Sequence, residues 1–172
     1  MAMKTMKVSH EQGVEKFLGL TKGIKFCMMT TADEIGVLRS RPMTIQQTEN
    51  NGNLWFFLGK TTALASAIIE NDFVSASFAN NCGDAFVSVY GRARLLVDRR
   101  KMEELWEPTY RNGFPLGPQD PNLTLLKVEL ESAEHWDSHL GILTTLFRKV
   151  KLPLTSGLTL PKERTPAVVR IS

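Results

Sequence analysis

Arg39 and Arg41, the aromatic run Trp55-Phe56-Phe57 and the polar step Lys60-Thr61-Thr62 all fall between Val37 and Thr62. A phosphate monoester carries several acceptor oxygens and more than one negative charge. A site for it calls for forked guanidinium donors, an ammonium or hydroxyls, and free backbone amides at a helix start. Aromatic side chains close by add a flat apolar surface. The combination suits a phosphorylated aromatic ligand. On a strand, Arg39, Arg41 and Met43 share one face and Ser40, Pro42 and Thr44 the other, so only one set can line a given pocket. Taken alone, such an arginine pair is more often solvated or ion-paired, here with Asp33, Glu34 or Glu49. Pro42 removes a ladder donor, which fits a strand whose backbone meets a ligand and fits an ordinary edge strand equally well. Of the three adjacent aromatics one or two must be core, because neighbours on a strand point to opposite sides.

The elements that must position these residues are legible in the patterning. Val14, Phe17, Leu18 and Thr21 recur at helical spacing over Glu11 to Thr21, with Gly23 as a stop. Ile24 to Thr30 reads as a strand, Ala32 to Gly36 as a turn and Val37 to Gln47 as the strand that carries the arginines. Asn50-Asn51-Gly52 is a hairpin signal, since Asn and Gly tolerate positive φ, and it leads into Leu54 to Leu58. Thr61 or Thr62 caps a helix whose small apolar stripe, Ala63, Leu64, Ala67 and Ile68, ends near Asn71. Strands follow at Val74 to Ala79 and Ala85 to Val97, the second with Gly91 as a bulge or bend. Asp98 caps a helix placing Met102, Leu105 and Trp106 on one face, stopped by Pro108. Thr109 to Pro121, rich in Gly and Pro, reads as an irregular loop, and Leu123 to Leu130 as the last strand. Six strands joined by hairpins or single short helices predict a mainly β fold, an antiparallel barrel or sandwich with peripheral helices. Beyond Asp137, Leu140, Leu143, Leu146, Phe147 and Val150 predict a helix with a cationic end. The basic, Pro-containing tail after Pro153 is expected to be mobile or ordered only against a partner subunit. The division expected is residues 1–137 as the barrel domain and 138–172 as a C-terminal helix and tail.

With 172 residues, 42% hydrophobic and 23% charged, the chain has the make-up of one ordinary globular domain. A net charge of +3, spread along the chain, gives nucleic-acid binding no support. No apolar run approaches the roughly 20 residues of a membrane span and no leader pattern opens the sequence, so a cytoplasmic protein is expected. Cys27 and Cys82 stand too far apart for a CxxC motif and read as free thiols. His135 and His139, with Asp137 between them, could hold a metal if helical, but no third ligand is in sight and no metal is expected. His10 takes no role. No GxGxxG, Walker, HExxH or GxSxG pattern occurs, and neither Ser88 nor Cys27 has the context of a nucleophile.

The co-linear order of motifs resembles a known family. Phe26 to Thr31, the Arg39-Ser40-Arg41-Pro42-Met43 run, Gly52 to Phe57, Ile69-Glu70-Asn71 and Val87 to Gly91 match the pyridoxamine 5'-phosphate oxidase-like FMN-binding split barrel, in its general stress protein subgroup. Glu104-Leu105-Trp106, Phe114-Pro115, Asp120-Pro121, Leu125 to Val128 and Ala133 to Asp137 continue the match. The resemblance implies a six-stranded antiparallel Greek-key split barrel and a homodimer with FMN in a groove between subunits. It implies that Ser40, Arg41, Pro42, Met43 and Thr44 line the flavin and phosphate, that Trp55, Phe56 and Phe57 follow from the next strand, and that Lys60, Thr61 and Thr62 close on the phosphate. It implies that Gln46 stands where relatives often place a polar or cationic group near the flavin edge, and that Trp136 is a lid candidate. Two positions depart from the pattern: Leu64 stands where relatives often have a lysine, and Gly113 where they have an aromatic. The chain lacks the arginine-rich, tryptophan-bearing end of true pyridoxamine phosphate oxidases, so that activity is not expected. The implied function is a redox flavoprotein; the alternatives are a non-catalytic flavin-binding stress protein, or a split barrel for deazaflavin or haem.

Overall fold

The computed structural model describes residues 10–80, 85–137 and 167–170. Helix α1 (His10–Thr21) precedes strands β1 (Phe26–Ala32), β2 (Leu38–Thr48) and β3 (Leu54–Gly59). Helix α2 (Ala63–Glu70), strands β4 (Phe73–Asn80) and β5 (Ala85–Leu96) and helix α3 (Arg99–Glu104) follow, then β6 (Leu123–Asp137) and β7 (Ala167–Arg170). The sheet order β3-β2-β1-β4-β5-β6 closes on itself through a β3–β6 pairing, and every pairing is antiparallel. This is the six-stranded barrel expected from the hairpin-rich pattern.

Alternation decides what fills it. Cys27 and Met29 of β1, Leu54 and Phe56 of β3, Val74, Ala76 and Phe78 of β4, Val87 and Val89 of β5, and Leu126 and Val128 of β6 form one buried core. Helix α1 packs against β4 and β5, its Phe17 meeting Phe78 edge-on at 5.6 Å between ring centres. Helix α2 lies against β1 and β5 through Leu64, Ala65, Ala67 and Ile68. A second apolar cluster, Trp55, Met102, Leu123 and Leu125, sits on the outer side of β3 and β6 beneath α3.

Several boundaries differ from the sequence reading. Thr109 to Pro121 is not irregular: two 3-10 helices, Pro108–Asn112 and Gly117–Gln119, organise it, each with a proline in its first turn, where the missing N–H costs nothing. Strand β6 runs on to Asp137 because β5 continues beside it as far as Ala85 opposite Asp137. A register shift at Tyr90/Gly91 confirms the bulge. At Gly91 an added Cβ would run into the Glu129 carbonyl, with Glu129 C at 2.9 Å and Leu130 Cα at 3.0 Å. Part of the tail expected to be mobile or partner-ordered is strand β7, paired within the chain to Ser132–His135. His135 and Asp137 are strand residues, not helical ones. The helix expected over Leu140 to Val150, His139 and Cys82 lie outside the described residues.

Candidate functional site

The β1–β2 hairpin and the point where β2 leaves β3 define the site. Ile45 N–H donates to Lys25 O (2.9 Å) and Asp33 N–H to Val37 O (3.0 Å). Given the one-to-one register between these ends, the backbone groups of Arg39, Arg41 and Met43 turn toward β1. Those of Ser40, Pro42 and Thr44 turn to the opposite edge. There, among the described residues, β2 has no strand partner: its pairing with β3 stops at Ile45 opposite Phe56. Pro42 thus sits where, among the described residues, a missing N–H leaves no ladder bond unmade. The open edge runs from Ser40 to Thr44. Arg41 and Lys60 both lie four residues beyond the last β2–β3 pair, so the guanidinium strand and the start of α2 diverge from one point.

Gln46 is the extra residue of a β-bulge, between Ile45 opposite Phe56 and Gln47 opposite Trp55. Its Nε2 donates to Thr44 O (3.2 Å) on the open edge.

The two arginines part company. Arg39 is solvent-facing and donates to Asp33 Oδ2 (3.3 Å), the ordinary outcome for such a residue. Backbone N–H donation from Val37 is the largest effect on the Asp33 carboxyl and, with Arg39, holds it below its usual range. Arg41 is half-buried, level with the buried Met29, and donates a long 3.4 Å bond from Nη1 to Thr31 Oγ1. Among the described residues it has no carboxylate partner. Met43 packs on the core. On the other face Ser40 Oγ meets Thr30 Oγ1 at 2.7 Å.

Thr62 is the N-cap of α2, accepting from Ala65 N–H (3.2 Å) and donating to Gly59 O (2.8 Å). The remaining amides of that first turn lack intrahelical partners by construction. Lys60 Nζ donates to Pro121 O (2.7 Å), and both the N–H (3.2 Å) and hydroxyl (3.3 Å) of Thr61 donate to Asn122 Oδ1. Asn122 is thus a shaping residue that the sequence reading missed; its only signal was the turn chemistry of Asp120-Pro121. Leu64, 2% exposed, is a core residue of α2 and supplies no cation.

Of the aromatic candidates, Phe56 is fully buried in the barrel core, while Trp55 and Phe57 face outward. Trp55 Nε1 donates to Glu49 Oε1 (2.8 Å), with the Lys101 and Lys127 ammoniums 5.5 and 5.7 Å from its ring centre. Phe57 joins Trp106 (5.9 Å) and Tyr110 (5.3 Å), themselves 5.8 Å apart, in a partly exposed wall of three rings. Tyr110 lies in the segment read as irregular, which hid it. Burial, reinforced by Glu107 nearby, raises its pKa. Trp136 is placed on β6 opposite Phe86; its side chain lies outside the described residues. Beyond the open edge, the outer face of β2, β1 and β5 exposes Phe26 (60%), Leu38 (71%), Phe86 (51%), Met28 and Tyr90.

A closed antiparallel barrel that leaves part of one strand edge open, flanked by a guanidinium, a helix start and an aromatic wall, is the split-barrel class. The profile of the family described as "Pyridoxamine 5'-phosphate oxidase like" matches residues 12–158, and the chain belongs to that family. Among solved structures, it is similar to a general stress FMN/FAD binding protein from the phytopathogen Xanthomonas citri. That likeness has 26% identity and a TM-score of 0.63, over 89% of this chain and 99% of the other. It is also similar to a general stress protein 26-related protein of the pyridoxinephosphate oxidase family from Clostridium acetobutylicum, with 22% identity and a TM-score of 0.64, over 74% and 90%. Protein bli-3 of Neurospora crassa is 26% identical over 139 residues, 75% of this chain; the chain spans 66% of that protein's length.

Proposed function

We propose that this chain is an FMN-binding flavoprotein that acts as an oxidoreductase, with the cofactor held at the interface of a homodimer. The observation that carries the reading is Arg41: among the described residues, it is a half-buried guanidinium without a carboxylate partner, beside a stretch of β2 backbone with no strand to pair it. Half-buried charges ordinarily find a counter-ion, and a phosphate supplies one. Arg41 projects on the opposite face of β2 from Ser40, Pro42 and Thr44, so a ligand touching both sets must straddle the open edge. In this reading Arg41, with Met43 beneath it, Lys60, Thr61 and the start of α2 capped by Thr62 hold the phosphate. Ser40, Pro42, Thr44 and Gln46 meet the ring system, Trp55 and Phe57 shape its surroundings over the buried Phe56, and Trp136 stands as its lid. When bound, FMN supplies hydride and electron transfer; the chain binds, orients and shields it.

The exposed apolar side chains on the outer face next to the open edge support the homodimer, since a second copy seated there would bury them and wall the groove. Residues 1–137 form the flavin-binding domain and 138–172 an appendage in this proposal. No helix among the described residues is long and apolar enough to cross a membrane, and a cytoplasmic location fits the buried free thiol of Cys27. Titration with FMN tests the binding: flavin fluorescence is quenched stoichiometrically at micromolar protein. Protein that leaves micromolar FMN fluorescence unchanged overturns the proposal. Reduction of the bound flavin by NADH or NADPH, with reoxidation by an acceptor, tests the oxidoreductase role; binding without turnover assigns the chain to flavin storage instead.

A further inference from the structure

Strand β6 is held unequally along its two edges. On one, β5 runs beside it from Leu125 to Asp137; on the other, β3 reaches only from Leu123 to Val128. Among the described residues, the strand that takes up this second edge further along is β7. Its four residues pair with Ser132–His135 in unbroken antiparallel register, Arg170 opposite Ser132 and Ala167 opposite His135. β7 also lies beside α1, so its docking is tertiary and not that of a local hairpin. Ser132, Ala133 and His135 are buried, and since neighbours on a strand face opposite ways, this stretch of β6 is covered on both faces. Its second edge nevertheless depends on four residues separated from β6 by residues 138–166. Ordering so distant a segment costs chain entropy that a four-residue ladder only narrowly offsets, so the docked and released states of β7 lie close in free energy. Trp136 comes directly after the last β6 residue that β7 pairs.

Resting on the reading of this chain as a flavoprotein with Trp136 as the lid, we propose that β7 is a releasable clasp on the flavin site. Docked, it fixes Ser132–His135 between two strands and so holds the residue that follows, Trp136, in place. Released, it leaves that stretch paired with β5 alone, an edge that opens locally and lets the flavin go. The clasp acts on the ring and not on the phosphate, because Arg41 stands on β2 and Lys60 just after β3, and β7 pairs with neither strand.

The test uses two full-chain variants, with amide hydrogen exchange followed strand by strand and the dissociation rates of FMN and riboflavin read from the recovery of flavin fluorescence. The first, Val168→Pro with Val169→Pro, opens the clasp: adjacent residues of an antiparallel strand turn their N–H groups to opposite edges, so one of the two prolines removes a bond to β6. Losing one or two ladder bonds, each about a fivefold factor in the opening equilibrium, speeds exchange over Ser132–Asp137 by roughly 5- to 25-fold while β1 and β4 exchange as before. Both flavins then leave faster alike, by at least about threefold. The second variant, Glu134→Cys with Val168→Cys in a Cys82→Ser background, closes the clasp, since residues directly opposite bring their Cβ atoms within disulfide reach. Oxidised, it releases both flavins more slowly than the unaltered protein, and dithiothreitol reverses this. Unchanged exchange over Ser132–Asp137 in the proline variant overturns the inference. Faster exchange with both dissociation rates within about twofold makes β7 merely structural and overturns it too, while FMN binding by the unaltered protein stands. If the unaltered protein binds neither flavin, the proposed function falls and the clasp falls with it.

Discussion

Replacing Arg41 with alanine separates the phosphate of FMN from its ring. Among the described residues the guanidinium spends only a 3.4 Å bond on the neutral Thr31 hydroxyl, and its loss strands no carboxylate. The folded protein should hardly notice, with a change within roughly 0.5 kcal/mol, or about 1–2 °C in the unfolding midpoint for a chain of this size. Binding is another matter. Hydrogen bonds to charged partners are worth about 1.5–3 kcal/mol, which at about 1.4 kcal/mol per factor of ten gives roughly a 10- to 150-fold loss of FMN affinity. Riboflavin, which has no phosphate, should change by less than about twofold. Arg39→Ala is the internal control, because that side chain is 61% exposed and already paired with Asp33. Such an exposed pair contributes little to stability, and its loss should leave both flavins bound as before. Fluorescence titrations at two ionic strengths complete the assay, since the salt dependence of FMN binding should flatten when Arg41 is gone. Equal weakening of FMN and riboflavin by Arg41→Ala, or a larger FMN loss from Arg39→Ala, refutes the assignment.

Three other perturbations probe the frame around the site. Gly91→Ala forces a Cβ against the backbone of Glu129 and Leu130; a cost of about 3 kcal/mol, or roughly 6–12 °C in thermal midpoint, is expected, and a neutral variant contradicts the close approach. Burial acts to raise the Glu49 pKa, but hydrogen bonds from Trp55 and Asn53 and the charges of Lys127 and Lys101 outweigh it and hold the carboxyl below its usual range. A depressed folded-state pKa stabilises above the unfolded value, and that stability is lost as pH falls through the folded one. In urea unfolding the deficit of Glu49→Gln should be full at pH 7 and shrink below about pH 4.5; a deficit constant down to pH 3 argues against this. Burial pushes the Cys27 thiol up to about 12, so in a Cys82→Ser background a thiol reagent at pH 8 should react only after denaturant is added, and stoichiometric labelling of folded protein disproves the burial.

Local chemistry made most of the elements readable. Thr62 and Asp98 cap the helices that they were expected to cap, Gly52 holds its positive φ in the hairpin turn, and alternation separated Phe56 from Trp55 and Phe57. These signals act within a few residues, through hydrogen bonds and sterics that the chain carries with it. The long β6 and the paired β7 escaped because a strand end is set by a neighbour's edge, not by its own residues. Tyr110 and Asn122 escaped because short-range Gly and Pro signals say that the chain turns, not what the turn will touch. The residues from Val37 to Thr62 by themselves determined that a cation, aromatic rings and a helix start arrive together, but they left the arginines equal. Only closure of the barrel decided between them. β3 parts from β2 after Phe56, so Arg39 meets Asp33 in solvent while Arg41 stays half-buried beside an open backbone edge, and burial together with pairing is a property of the assembled sheet.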